Sequence, residues 1–200
     1  MKETSDSLSQ PVVETPHIRV APERRTFADY AALAVATCGV GFIPVAPGTW
    51  GSALGVAAYL LLRGYGLRPE GQQLLVSETG AAVLTTVLLA AIVVVSLAGT
   101  WAATRVESLL KVKDPGVVVV DEVAGQLITF LFVPWRAGAW AVLAGFVAFR
   151  LFDIWKPYPI DRLESLKSGL GVMADDVLAG AYAAVLMSLL TSLAMIYKGV

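Results

Sequence analysis

The sequence predicts an all-α protein, a polytopic membrane helical bundle with about four to five crossings, on three observations. First, only 16% of its 200 residues are charged and 56% are hydrophobic, with a mean hydropathy of +0.70, whereas soluble domains carry about 25% charged residues. Second, residues 79–104 contain no charged side chain and exceed the roughly 20 residues that cross a bilayer. Third, further apolar segments alternate with short polar loops along the chain.

The N-terminal part differs from the rest of the chain. Residues 1–29 are rich in Ser, Thr, Pro, Glu and Arg and show no apolar periodicity, which predicts a disordered polar tail. They lack the apolar stretch behind a basic start that marks a secretory signal. The only histidine, His17, lies in this tail and is expected to be solvated. Residues 30–200 are predicted to form one membrane-embedded domain.

The apolar segments can be taken in order. Residues 30–46 are interrupted by Gly39, Gly41 and Pro44, so a short crossing, a re-entrant segment and an interfacial segment all remain open. The motif PGTWGS then opens a helix that continues through residue 62, and a mostly polar loop is predicted at 63–78. The later predicted segments are the clearest transmembrane helix at 80–101, a polar loop at 102–116, an apolar block at 117–135, a helix at 139–155, a polar loop at 156–171 and a last helix at 172–197.

Tracing these crossings places most acidic residues of the membrane domain on one side. The chain crosses after PGTWGS, returns, crosses again after residue 121, turns near residue 136 and returns before the last helix. Independent crossings would not require the acidic residues to fall together, so their clustering predicts a shared site. The carboxylates at this side are Asp114, Asp121, Glu122, Asp153, Asp175 and Asp176.

The basic residues indicate which side this is. If residues 30–46 do not cross, only Arg63, Arg68, Arg136 and Lys198 lie on the opposite side, which leaves 11 of the 15 Lys and Arg with the carboxylates. If that segment crosses, the four cations of the tail change sides and the split becomes 7 to 8. Cytoplasmic loops carry the Lys and Arg excess, so the acidic side is predicted to face the cytoplasm.

Carboxylates at membrane depth are costly, and they indicate function by default. Helix capping is an alternative for Asp121 and Asp175, since an anion suits a helix N-terminus. Capping does not explain why Asp121 adjoins Glu122 and Asp175 adjoins Asp176, because neighbouring like charges repel unless a proton or cation intervenes. It also does not explain Asp153, near a helix C-terminus. A hard divalent cation accounts for all five, and Mg²⁺ prefers such oxygen ligands.

Cations stand beside the acidic residues. In FRLFDIWKPYPI (residues 149–160), Arg150, Asp153 and Lys156 recur at spacings of three and neighbour one another on a helix. Arg150 and Lys156 fit two interpretations, boundary residues reaching toward lipid headgroups and clamps for a phosphate. The helix start at PGTWGS favours anion binding, although a Gly and Ser start is common.

Glycines accompany the last acidic pair in GLGVMADDVLAG (residues 169–180). Gly169 and Gly171 are predicted to allow a tight turn into the helix. Gly180 falls four residues after Asp176, where it leaves space on the same helix face.

Four blocks together resemble phosphatidylglycerophosphatase A, the bacterial membrane lipid phosphatase: PGTWGS, DPGVVVVDEVAG, FRLFDIWKPYPI and GLGVMADDVLAG. Their order and spacing fit, and the similarity runs from about residue 39 to the last helix. The resemblance implies Mg²⁺-dependent removal of the terminal phosphate of phosphatidylglycerophosphate, which yields phosphatidylglycerol for phospholipid biosynthesis. It also implies a multi-pass enzyme of the bacterial cytoplasmic (inner) membrane, with residues 30–200 as its lipid phosphatase domain.

The residues divide into predicted roles. Arg150 and Lys156 are predicted to neutralise the phosphate, and Thr49 and Ser52 to donate hydrogen bonds to the phosphate. Lys156 is also predicted to be a catalytic residue. Attack by metal-bound water is favoured, and an aspartyl-phosphate intermediate stays open. The predicted Mg²⁺ ligands and acid/base groups are Asp121, Glu122, Asp153, Asp175 and Asp176.

Other functions fit less well. A CDP-alcohol phosphatidyltransferase carries a D-x-x-D-G-x-x-A-R run, which this chain lacks. A cation or proton transporter predicts carboxylates near mid-membrane, whereas here they gather at one end. The net charge of -1 gives no indication of nucleic-acid binding, and the single cysteine, Cys38, excludes an intrachain disulfide. The expected partners are the membrane and its phospholipid substrate, and the oligomeric state is left open.

Overall fold

A computed structural model describes residues 25–66, 77–163, 166 and 168–198, and all regular structure in this part is helical. The all-α prediction is therefore confirmed there. Most of the predicted tail (residues 1–24) and of the loop at 63–78 lies outside the described residues, although the first helix already includes residues 27–29. The helices are α1 (Phe27–Thr37), α2 (Pro47–Gly66), α3 (Glu78–Leu110), α4 (Val120–Thr129), α5 (Ala139–Trp155), α6 (Ile160–Leu163) and α7 (Gly169–Lys198).

Two helices of the described part are long and apolar enough to span a membrane, α3 and the stretch Gly169–Tyr197 of α7. The 33 residues of α3 extend over about 50 Å, well beyond the roughly 30 Å of a hydrocarbon core. The predicted polar loop at 102–116 is wrong for its first nine residues, which continue α3. Ala, Arg, Glu and Leu dominate there and favour helix despite their polarity. The helix ends at Leu110, because the next residue, Lys111, has a left-handed φ of 54°.

The apolar block at 117–135 does not form one crossing helix. Its helix, α4, has ten residues and is about 15 Å long, half the thickness of a hydrocarbon core. Eight of the ten residues are buried, so α4 lies among the other helices and not on their surface. The helix ends in tight turns, in which the N–H of Phe130 bonds the carbonyl of Leu127 at 3.2 Å, and Pro134 prevents its resumption.

The segment at 30–46 is resolved into α1 and a turn. The 11 residues of α1 reach only about 16 Å, which disfavours a crossing. Asp29 accepts a hydrogen bond from the Thr26 N–H at 2.6 Å and pairs with Arg105 of α3 at 2.7 Å. These bonds, the Thr26 ones above all, lower the pKa of Asp29. At the other end of α1, the Ala36 carbonyl accepts a hydrogen bond of 2.8 Å from the Val119 N–H. This bond fixes the start of α4.

Close helix contacts occur where glycine removes a side chain. Gly125 of α4 lies against Gly180 of α7, and a Cβ at Gly180 would overlap the Gly125 carbonyl and lie 2.9 Å from its Cα. The space predicted at Gly180 is thus filled by α4. Gly169 also allows close packing of α7 against α3, since a Cβ there would lie 2.5 Å from the Thr104 nitrogen. The predicted tight turn at Gly169 is wrong, because α7 begins at this residue.

An aromatic cluster joins the helices near the end of α4 and the start of α3. Tyr59 of α2 stacks on Phe130 and Trp135, with ring centroids 4.3 and 5.3 Å apart. The Trp135 indole N–H donates to the Thr85 hydroxyl of α3 at 3.0 Å.

Gly51 of α2 lies against Val119, and Gly55 lies against Gln126, so α2 and α4 start together and run parallel. The turn after α4 continues along α2 as far as Arg63, which bonds the Ala137 carbonyl.

Candidate active site

A cavity of about 390 Å³ lies where α2, α4 and α7 begin and α5 ends. Three helix starts and one helix end meet here because α4 is packed between α2, α5 and α7. The structure therefore brings the carboxylates together as the tracing of crossings predicts. The charged residues that line the cavity are Asp114, Asp121, Glu122, Asp153, Asp175, Asp176, Arg150 and Lys156.

Three carboxylates form the centre of this site. One oxygen each from Asp121, Glu122 and Asp176 lies within 4.8 Å of the others. Asp121 and Asp176 are only 7% and 4% exposed, so water screens their repulsion poorly. Among the described residues, Asp121 Oδ1 and Glu122 Oε2 are buried without a hydrogen-bond donor. Anionic oxygens converging without donors fit a hard divalent cation, which would satisfy all three groups.

Helix capping does not account for these residues. The N-cap position of α4 is Val119, and no side chain caps it. Asp175 is the seventh residue of α7, past the first turn, where no acidic residue occurs. The favourable effect of the helix dipole acts only within the first turn, so it reaches Asp121 and Glu122 but not Asp175.

Two further carboxylates are paired with cations. Arg150 Nη1 lies 2.6 Å from Asp153 Oδ2, on the same face of α5. Lys156 Nζ lies 2.7 Å from Asp175 Oδ2, which joins the end of α5 to α7. Lys156 has a left-handed φ of 46°, and its N–H donates to the Phe152 carbonyl at 2.9 Å. The five predicted metal ligands are thus arranged as three facing one another and two bonded to Arg or Lys.

The two predicted hydroxyl donors lie behind the cavity and are not among its lining residues. Ser52 is fully buried. Its hydroxyl donates to the Gly48 carbonyl at 3.0 Å and accepts from Arg150 Nη1 at 3.4 Å. Thr49 is half-buried on the same turn. Their contact with substrate stays a prediction, while the geometry shows that Ser52 supports Arg150.

Asp114 and Gly48 also line the cavity. The sequence predicts Asp114 on this side without assigning it a chemical role, and it does not predict the contacts of Gly48. Asp114 has a left-handed φ of 48°, and its N–H donates to Glu107 at 2.9 Å. Gly48 lies against Glu122 and Arg150, where there is no room for a side chain. Asp114 opens the block DPGVVVVDEVAG, so its position was a usable signal, whereas the contact of Gly48 joins residues far apart in sequence.

Comparison with known proteins decides the family. The model of the family Phosphatidylglycerophosphatase A matches residues 33–191. The chain belongs to this family. The predicted resemblance is thereby confirmed, and so is the prediction that the chain is a phosphatase. No solved structure matches it.

Three relatives of this phosphatidylglycerophosphatase A family member are informative. A Bacteroides thetaiotaomicron protein, provisionally named a phosphatidylinositol-3-phosphatase, is 42% identical over 75% of this chain and 86% of its own length. The Haemophilus influenzae phosphatidylglycerophosphatase A is 34% identical over 74% of this chain and 81% of its own. The Escherichia coli phosphatidylglycerophosphatase A is 30% identical over 84% of this chain and 87% of its own. All three names describe phosphatases of lipid phosphate monoesters.

Gly48→Ala is expected to lower activity in this family member, because the new Cβ would overlap the Glu122 carboxylate and lie 3.1 Å from Arg150 Nη1. A shift of about 1 Å in a catalytic group costs on the order of a hundredfold in rate. Phosphate release by purified protein measures the effect. Gly64→Ala on the same helix is the matched control, since nothing lies within 4 Å of its Cβ position. Equal activity of both variants would contradict the placement of Glu122.

Proposed function

We propose that this protein hydrolyses the terminal phosphate monoester of phosphatidylglycerophosphate to give phosphatidylglycerol, with Mg²⁺ as its cofactor. The observation that carries this proposal is the meeting of Asp121, Glu122 and Asp176 with Arg150 and Lys156 in one cavity. Anionic groups that gather a cation, beside cations that neutralise an anion, suit a phosphate monoester. Two relatives named phosphatidylglycerophosphatase A supply the substrate.

Asp121, Glu122 and Asp176 would hold the metal, because their oxygens converge and two of them have no donor among the described residues. When bound, Mg²⁺ supplies electrostatic stabilisation of the charge on the phosphoryl group. Asp153 and Asp175 would act mainly by holding Arg150 and Lys156 at the cavity wall. This division refines the predicted set of five ligands.

Arg150 and Lys156 would bind and orient the phosphate. Ser52 and Asp153 hold the Arg150 guanidinium from two sides, so it approaches an anion in a fixed orientation. The second oxygen of Asp175 is buried without a donor among the described residues, which suits a group that exchanges a proton with the attacking water. Water is the proposed nucleophile, since the central carboxylates are needed for the metal.

The proposed location is the bacterial cytoplasmic membrane, with several crossings and the cavity facing the cytoplasm. The two spanning helices support it, as does the excess of Lys and Arg on the side of the cavity. The 20 residues of α2 and 17 of α5 measure about 30 and 25 Å, which suits two further crossings. The fifth passage would be α4 with its following turn, where irregular backbone is tolerated because it is buried in protein.

The test is release of inorganic phosphate by the purified full chain in detergent, supplied in turn with phosphatidylglycerophosphate, phosphatidylinositol 3-phosphate and phosphatidic acid. We expect the first to be the best substrate, with activity lost in EDTA and restored by Mg²⁺. Preference for phosphatidylinositol 3-phosphate would favour the second candidate, which the 42% identical relative suggests. Full activity in EDTA would contradict the metal site. Ion flux in liposomes without phosphate release would instead indicate a transporter.

A further inference from the structure

An apolar groove of about 420 Å³ runs along the surface between α2 and α5. We name it the α2–α5 groove. Small and medium side chains on both helices leave it open, and most of its lining is apolar. Its apolar walls are formed chiefly by Ala53, Val56 and Leu60 of α2 and by Val142, Leu143 and Phe146 of α5.

The groove lies next to the candidate active site. The two helices that form the groove also line the active-site cavity, α2 through Gly48 and α5 through Ile154. The contact between Ser52 and Arg150 joins the two helices at the boundary. Ala53 directly follows Ser52, and Phe146 of the groove lies four residues before Arg150 of the cavity, so the groove begins about one helix turn from the cavity. A molecule with its polar end at Arg150 would therefore find apolar walls close by.

The far end of the groove is polar. Arg63 lines it there and donates a hydrogen bond to the Ala137 carbonyl, in the turn before α5. Arg63 lies 11 residues beyond Ser52 on α2, which corresponds to about 16 Å along the helix axis. The accessible apolar length is therefore limited and lies parallel to the helices, which is the direction of lipid chains in a bilayer.

We propose that the α2–α5 groove holds an acyl chain of the lipid substrate while its phosphate occupies the cavity. This inference rests on the proposed function, and it adds the route by which substrate enters, sideways from the membrane between α2 and α5. The occupant is the substrate's own chain, because the groove and the cavity lie about one helix turn apart along the same two helices. The class of ligand is a phosphate monoester on a glycerolipid with long chains.

The groove acts by positioning. A lipid chain is already in an apolar medium, so moving it into the groove yields little hydrophobic free energy. A chain fixed in the groove instead limits the positions that the headgroup and its terminal phosphate can take at Arg150, and orientation contributes strongly to rate. Blocking the groove should therefore reduce turnover of long-chain substrate and spare a substrate whose chains are too short to enter it.

The experiment compares Val56→Trp and Leu60→Trp with wild type on dihexadecanoyl and dihexanoyl phosphatidylglycerophosphate in detergent. Val56 and Leu60 lie four and eight residues below Ser52, about 6 and 12 Å along the helix. We expect Val56→Trp to lower kcat/KM for the long-chain substrate about tenfold or more, with unchanged activity on the short one. Leu60→Trp should affect only chains that reach its depth. The matched control is Val94→Trp on α3, where Val94 is 65% exposed.

The outcomes separate this inference from the proposed function. Unchanged short-chain activity shows that a variant is folded and its site intact. Equal long-chain activity of wild type and Val56→Trp would overturn the groove and leave the function standing. No phosphate release by wild type from either substrate would overturn the function itself. Long-chain substrate carrying a terminal diazirine should also label the groove in wild type, and labelling spread evenly over α3 and α7 would indicate bulk lipid and overturn the groove.

Discussion

Asp121→Asn is expected to abolish phosphate release and at the same time to leave the metal-free protein at least as stable as wild type. The amide keeps the shape of the carboxylate but removes its charge, so the three-oxygen cluster loses one of its proposed metal ligands. The charge stabilisation that a bound metal supplies is worth several kcal/mol, and each loss of about 1.4 kcal/mol lowers the rate tenfold. The same change relieves repulsion among Asp121, Glu122 and Asp176, which lie within 4.8 Å in a poorly hydrated place.

Two measurements check this expectation. Phosphate release gives the activity, and thermal unfolding with and without Mg²⁺ gives the stability. A ligand stabilises the folded state that binds it, so Mg²⁺ should raise the Tm of wild type and not that of Asp121→Asn. Asp161→Asn provides a control of the same chemistry, since Asp161 lies exposed on α6. A variant at Asp121 with wild-type activity and an undiminished Mg²⁺ response would refute the carboxylate site.

Gly125→Ala is expected to destabilise the protein and to disrupt the site through the backbone. A Cβ at Gly125 would overlap the Phe149 ring and lie 2.6 Å from the Asp176 carbonyl oxygen. Neither a packed ring between helices nor a helix backbone yields easily, so overpacking should cost about 1–3 kcal/mol. Relief by separating α4 from α7 would move Asp121 away from Asp176, and activity should fall even in the protein that remains folded.

The destabilisation is measured as a lower Tm, and the disruption as lower activity per folded molecule. Gly64→Ala is again the control, because it adds a methyl group in open space and favours helix. If Gly125→Ala matched this control in both measurements, the close contact of α4 with α7 would be wrong.

Much of the fold could be predicted from hydropathy alone. The helix at 139–155 has the predicted bounds, because its apolar run is flanked by Gly138 and Pro157. The end of α3 was missed because helix propensity, and not hydropathy, extends it to Leu110. The short length of α4 was also missed, since residues 123–135 carry no charged side chain and a buried turn is indistinguishable from buried helix in such a run.

The sequence predicts which charged residues line the cavity, but it predicts less well which of them contact one another. The contact of Arg150 with Asp153 follows from helical spacing. The contact of Lys156 with Asp175 joins two helices across 19 residues, and no local pattern specifies it. Ser52 was predicted to face the phosphate because a hydroxyl at a helix start suggests an anion site. Its side chain is buried and bonded to Arg150, which only the tertiary packing reveals, and its contact with the phosphate stays a prediction.

The short, enclosed α4 has a consequence for biogenesis. A helix of about 15 Å is too brief for the membrane-insertion machinery to accept as a stable span by itself. It therefore depends on α2, which is synthesised before it, and on α7, which is synthesised after it. Since α7 also carries Asp176, the three-carboxylate cluster cannot exist on a nascent chain until α7 has been synthesised. The site should thus form only once α7 has packed against α4.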